Sequence, residues 1–453
     1  MDRKTFLQTA SVAAGGIIVS DMIGCKPSQK ISAMNEHLTN WAGNLTYSTG
    51  SVYYPKTIEE VQEVVKKCNN LRALGSRHSF NTIADSTANQ LSSQNLNKII
   101  SLDKNANTVT IESGTRYGDF APYLDENGYA LANLASLPHI TVAGACATGT
   151  HGSGINNGNL STSVAAIEFV NAKGEVVTLS KKKDGDKFYG AVVHLGTIGI
   201  ITKVTLDIIP TFKMKQVVYL DMSMSELKNN FNDLESMGYS VSLFTDWKNK
   251  NINEVWIKSR VDNSLTTIAT ELYGAKPADK NMHPIASESA ENVTDQMGIP
   301  GPWYERMPHF KMGFKPSAGK ELQTEYFVPI EHAYDAIMAV EKLNEKITPH
   351  LFITEIRTIH ADEFWMSPCY KQTSAAIHFT WKQETDAVMN LLPLIEEQLS
   401  PFNAKPHWAK LFTMQPKVLQ SRYEKLADFK LLVEEFDSKG KFRNAFVEKN
   451  LYS

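Results

Sequence analysis

Four cysteines stand in 453 residues, Cys25, Cys68, Cys146 and Cys369, none near another and none in a C-x-x-C pair. That spacing offers neither a zinc-ligand set nor a disulfide framework. No apolar run reaches the roughly 20 residues that a spanning helix needs, and no block of basic residues marks a nucleic-acid face. The formal net charge is −3, with 21% charged and 42% apolar residues, the balance of an ordinary globular chain. No G-x-G-x-x-G follows an expected strand; the nearest run, from Gly149 to Gly154, spaces its glycines differently, which argues against a Rossmann dinucleotide fold. Internal repeats and low-complexity segments are also absent. A chain of this length exceeds what one core usually organises, so two domains are expected.

What the chain does have is a run of small residues, Ala130–Gly158, with almost no large side chain after Ile140. Gly144, Gly149, Gly152 and Gly154 alternate there with alanine, serine and threonine. Small residues let backbone approach a ligand closely, and successive N–H groups turned one way form a concavity for an anion such as a pyrophosphate. A second glycine-containing turn, Gly75-Ser76-Arg77-His78-Ser79-Phe80, ends the short strand expected at Leu71–Leu74.

The N-terminus reads as an export address over residues 1–25. Arg3-Lys4 precedes a modest apolar run, Ala10–Val19, in the manner of a twin-arginine signal with lysine as its second member. Met22-Ile23-Gly24-Cys25 resembles a lipobox, which implies a lipid on Cys25, a tether over 26–39 and a place at the cell envelope or periplasm. Folded structure is expected from residue 40. Thr57 and Glu60 form a capping box, and Ile58, Val61, Val64, Val65 and Cys68 recur at helical spacing. Strands are expected at Lys98–Leu102, Thr108–Glu112, Val164–Val170, Val176–Leu179 and within Gly196–Pro210, with a helix over Arg116–Asn127. Beyond Pro210 the pattern changes to alternating strands, including Glu321–Val328, Leu351–His360 and Ala375–Trp381, with amphipathic helices between. Residues 273–316 read as irregular, a lid or rim, and Lys417–Asp437 as a helix returning to the first domain.

The pairing of LRALGSRHSFN with LANLASLPHITVAGACATGTHGSG resembles the flavoprotein superfamily of vanillyl-alcohol oxidase and p-cresol methylhydroxylase (PCMH), and within it the alditol (xylitol/sorbitol) oxidase group. LGTIGIITKVTL, QTEYFVPIEHAYDAI, FITEIRTIHADEFWMSPCY, AIHFTWK and KPHWAKLF extend the resemblance in order along both halves. It implies an α+β, two-domain flavoprotein: a PCMH-type FAD-binding domain over 40–210, an α+β substrate (cap) domain over 211–412, and a helical return over 413–453. It also implies FAD held by Gly75, Ser76, Arg77 and Ser79 together with Thr141, Gly144, Thr148, Gly149, Thr150 and His151. His78 matches the histidine joined covalently to the flavin, Ser136 falls near flavin and substrate, and Ile200 and Ile201 pack on the cofactor.

On a strand, residues i and i+2 share a face, so Glu355 lies beside Arg357 and His378 beside Thr380. A carboxylate and a guanidinium among apolar neighbours need each other or a polar ligand. With Ser136 and Lys410 these side chains suit a row of hydroxyls. The resemblance then implies oxidation of a terminal hydroxymethyl group at the flavin, with O2 as acceptor. Arg357 and Lys410 steady the developing charge, and a Glu355–His378 pair takes the hydroxyl proton. Two other readings stay open: an aldonolactone oxidase or dehydrogenase of the same superfamily, and an exported lipoprotein that binds carbohydrate without turnover.

Overall fold

The computed structural model describes residues 31–261, 268–313 and 321–453. The expected export signal, Cys25 and residues 26–30 of the tether lie outside the described residues.

Two sheets build the N-terminal half. In the first, Gln90–Ser92 runs parallel to both Ser51–Tyr53 and Arg72–Leu74, and Met34–Asn35 adds an antiparallel edge. The helix Ile58–Lys67 covers it. Its Thr57 hydroxyl accepts from the Glu60 N–H at 3.3 Å, while the Glu60 carboxylate reaches back to the Lys56 N–H at 2.6 Å. Val61, Val64 and Val65 are fully buried, each contributing about 1.5–3 kcal/mol of hydrophobic stabilisation. The second sheet is antiparallel, in the order Ile99–Asp103, Thr108–Glu112, Ile200–Asp207, Val164–Val170, Val176–Ser180.

The C-terminal half is one long antiparallel sheet. Its central strands run Lys213–Ser223, Asn251–Arg260, Ser240–Thr245, Leu351–Ile359, Ser374–Lys382, Glu321–Pro329 and the short Lys405–Pro406. Alternation decides what each face does. Leu243, Ile356, Ile377, Phe379, Tyr326 and Val328 pack with the helices Leu227–Glu235, Ala333–Glu341 and Thr385–Leu399 into one apolar core. The residues between them, Phe244, Glu355, Arg357, His378 and Glu325, point to the other face, toward the N-terminal half. The two halves join where the Gly154 N–H donates to the Thr358 carbonyl at 2.9 Å.

The tail packs back on the N-terminal half: Leu419, Phe429, Val433 and Phe446 are buried in its core. Arg72, wholly buried, fastens the tail by donating to the carbonyls of Phe442 at 2.6 Å and Gly196 at 2.9 Å. Besides the short turns Trp303–Arg306 and Ala445–Val447, two helices among the described residues go beyond the sequence-based expectation. Val142–Ala147 forms inside the small-residue run, because alanine carries high helix propensity and Val142, Ala145 and Cys146 have a core to bury against. Lys181–Val192, kinked at Gly185 where φ is +48°, hides its apolar residues, Phe188, Ala191 and Val192, behind the polar opening KKKDGDK.

Candidate functional site

A cavity of about 300 Å3 runs between the two halves. One end is lined by both small-residue turns. Gly75, Ser76, Arg77, His78 and Ser79 meet Thr141, Gly144, Thr148 and Thr150 there, with Ile200 and Ile201 behind, while Ser136 and His151 lie toward the other end, beside Arg357 and Glu325. The turns are tied together by the Thr141 N–H, which donates to the Ser76 hydroxyl at 3.1 Å. A side chain at Gly75 has no room, since its Cβ would come within 2.5 Å of the Thr141 hydroxyl, and at Gly144 the same oxygen would lie 2.9 Å away. Arg77 holds a positive φ of 65° and donates to the Thr39 carbonyl at 3.1 Å. Gly149 departs from expectation. It turns away from the cavity, where its φ of +65° serves the chain's bend and a Cβ would meet Pro368 at 3.2 Å.

His78 stacks on Trp41, ring centroids 4.8 Å apart and planes 15° from parallel. Burial, helped by His139 and Arg77, pushes its imidazole down to about 3, so the ring is neutral with a lone pair available.

The other end belongs to the long sheet. Cross-strand register sets Glu355 opposite His378, and His378 opposite Glu325, so the three stand in a row on one face. Glu325 is the centre of charge. It accepts from Arg357 Nη2 at 2.7 Å on one oxygen and from Lys410 Nζ at 2.7 Å on the other, with His151 Nε2 3.1 Å away. Burial alone would raise its pKa; Lys410, His151 and Arg357 overcome that and hold it well below the usual carboxylate range. Arg357 also donates to the Ser136 hydroxyl at 3.3 Å. Burial opposes its charge, but Glu355 and Glu325 outweigh that and raise its pKa. Lys410 is lowered, first by burial. Thr380 lines the cavity beside Gln323, its cross-strand partner.

The expected Glu355–His378 proton pair is not formed. Glu355 Oε1 is taken instead by His309 Nε2 at 2.7 Å, with Arg357 Nε at 3.5 Å. Both ring nitrogens of His378 are buried without a hydrogen-bond partner among the described residues. Burial holds the His378 imidazole well below its ordinary value, so it is neutral and aimed into the cavity. Directly opposed strand residues present parallel side chains, and a better-aligned donor from a loop won the carboxylate.

Three residues escaped the sequence reading. Glu325 sits within QTEYFVPI, where its alternation with Gln323 marked the polar face. His407 stands in KPHWAKLF, and its Nδ1 accepts from the Ala409 N–H at 3.0 Å, holding that turn. His309 falls in the irregular 273–316 stretch, which also sets His283, Ile285 and Phe310 on the cavity wall; no periodic signal points to them.

The cavity suits FAD on its own geometry: glycines that admit no Cβ at one end, and an unpaired buried imidazole with two cations at the other. Comparison with known proteins agrees. Residues 50–180 match the FAD binding domain family and residues 315–450 the D-arabinono-1,4-lactone oxidase family. The chain is 42% identical over 417 residues to an alditol oxidase of a Streptomyces species, covering 91% of this chain and 99% of that one. It is 25% identical over 438 residues to the L-gulonolactone oxidase of Mus musculus, covering 91% and 98%. Among solved structures, the cholesterol oxidase of B. sterolicum superposes with a TM-score of 0.74 at 14% identity, over 93% of this chain and 97% of that one, a likeness of fold.

Proposed function

The chain belongs to the alditol oxidase family of FAD-dependent oxidoreductases, and from that premise we propose that it oxidises the terminal hydroxymethyl group of a sugar alcohol to an aldehyde. When bound, FAD supplies the hydride acceptor and passes the electron pair to O2, which leaves as H2O2. The observation that carries this reading is the meeting of Arg357, Lys410, Ser136, Thr380 and an unpaired His378 at one end of a cavity whose other end is the pair of glycine turns.

In this reading each side chain has a task. Arg357 and Lys410, spaced by Glu325, set two cations where negative charge grows on the substrate oxygen. His378, neutral and with a bare nitrogen, takes the hydroxyl proton. Ser136, Thr380 and the Glu355 carboxylate read the remaining hydroxyls, and an analogue lacking one leaves a buried polar group unpaired. The Gly75–Ser79 and Thr141–His151 turns hold the nucleotide. His78, neutral and stacked on Trp41, would supply the nucleophilic nitrogen for covalent attachment, the new N–C bond replacing a C–H bond of the flavin methyl group whose electron pair would pass through the flavin to O2. The Arg3-Lys4 signal and Cys25 lipobox put the enzyme at the cell envelope; a Cys25→Ala variant that stays with membranes would remove that part.

A second reading, oxidation of an aldonolactone, is favoured by the family match over residues 315–450. H2O2 release assayed with xylitol, sorbitol and an aldonolactone separates the two. Protein that is colourless after full maturation would exclude both in favour of a carbohydrate-binding protein.

A further inference from the structure

Beside Glu355, on the same face of the sheet, lies a buried chain of polar groups that reaches the cavity from two strands away. Lys258, on the strand Asn251–Arg260, is 1% exposed. Its Nζ meets three acceptors: the Met307 carbonyl at 2.7 Å, the Pro308 carbonyl at 2.9 Å and Nδ1 of His309 at 3.0 Å. His309 Nε2 then meets Glu355 Oε1 at 2.7 Å. The ring is boxed by Trp256 and Phe244, centroids 5.1 and 5.7 Å away, and its backbone N–H donates to the Ser136 carbonyl at 3.0 Å.

Burial pushes the His309 imidazole down to about 4, which sets aside an imidazolium, and counting hydrogens then leaves two arrangements. An ammonium has three donors for its three acceptors, which puts the single ring proton of His309 on Nε2, facing a carboxylate. A neutral amine would accept from Nδ1–H, leaving Nε2 bare against Glu355, and that requires a proton on Glu355. Arg357, His309 and His378 outweigh burial and hold the Glu355 carboxyl far below its ordinary value. The second arrangement is thereby disfavoured, although burial pulls the Lys258 ammonium well down and Glu355 only partly restores it.

We propose that Lys258 is a positioning residue: by donating to Nδ1 it fixes His309 as the Nε2–H tautomer, which holds Glu355 as a carboxylate turned to the cavity to accept a substrate hydroxyl. The proposal rests on the sugar-alcohol reading for its substrate, but not for the tautomer. It gives the irregular 273–316 stretch a chemical task, since His309 couples that stretch to the sheet.

The test is a double-mutant cycle on the FAD-loaded enzyme, reading anaerobic flavin reduction by xylitol. Lys258→Met is placed in the native background and in His309→Gln, whose amide N–H can donate to Glu355 whichever partner stands behind it. Loss of the Met307 and Pro308 bonds is common to both backgrounds and cancels. Lys258→Met is expected to slow reduction about 30-fold in the native background and less than about 3-fold in His309→Gln, a coupling within one hydrogen-bonded network. Equal losses would overturn the proposal. Where Lys258→Met fails to fold, the native protein decides. Nitrogen NMR of 15N-histidine-labelled enzyme, with the His309 signals identified by their absence in His309→Gln, is expected to show a bare Nδ1 and a protonated Nε2. The reverse pattern overturns it. Should xylitol and sorbitol both fail to reduce the native flavin, the substrate reading falls while the nitrogen spectrum still judges the tautomer.

Discussion

Arg357 and Glu325 meet across an intervening strand: Nη2 of Arg357 donates to Oε1 of Glu325 at 2.7 Å, although Ser374–Lys382 lies between the strands that carry them. The reach runs diagonally: on that strand Ala376 stands opposite Arg357 and His378 opposite Glu325, so the side chain directly beside Arg357 is only a methyl group. A larger side chain at that position would stand in the guanidinium's path.

Removing Glu325 leaves two buried cations without their shared anion. Glu325→Ala is expected to destabilise the protein by about 3–5 kcal/mol, the usual cost of orphaning a buried charge, measured by urea unfolding of the FAD-loaded enzyme. Glu325→Gln keeps shape but not charge, and should retain more stability while slowing flavin reduction. A Glu325→Ala protein as stable as the native one would mean that solvent already screens the pair.

His78→Ala is expected to lose the flavin that survives acid. Native protein precipitated with trichloroacetic acid should give a yellow pellet and the variant a white one. A variant pellet that remains yellow would assign the attachment to another residue.

Arg357→Ala should slow anaerobic flavin reduction about 10²- to 10³-fold, the range seen when one charge-stabilising donor is removed from an active site. Flavin content per chain, read from the visible spectrum after gel filtration, should hold close to native. Proportional losses of flavin and rate would make Arg357 structural.

Glu235 provides a pH signature outside the site. Its carboxyl is buried on the helix side of the sheet, accepts from the Thr358 hydroxyl at 2.7 Å and is pushed by burial from 4.5 up to about 8. A folded pKa above the unfolded one means the native state holds its proton longer. That stabilisation is complete below about pH 4.5 and is lost as pH rises through about 8. Glu235→Gln, which keeps an acceptor for Thr358, should flatten this fall, seen as a smaller drop in Tm between the two ends of the window. Parallel Tm curves for native and variant would show that Glu235 ionises normally.

Residue pattern alone determined a good deal. Helical spacing located Ile58–Lys67, whose apolar positions face the core, and strand alternation paired Glu355 with Arg357 and His378 with Thr380 on shared faces. Small residues marked both turns that line the cavity, and Ser136, Arg357 and Lys410 do converge on it. Period and residue size are local properties, so they survive in a linear string. The partners do not. Which carboxylate Arg357 and Lys410 share depends on the register of three strands. Whether His378 or His309 binds Glu355 depends on how an aperiodic segment crosses the sheet, and Gly149 is absent from the cavity wall, at a positive-φ turn packed near Pro368. Hydrogen-bond competition is settled by distances between residues far apart in sequence, and only the tertiary structure decided those.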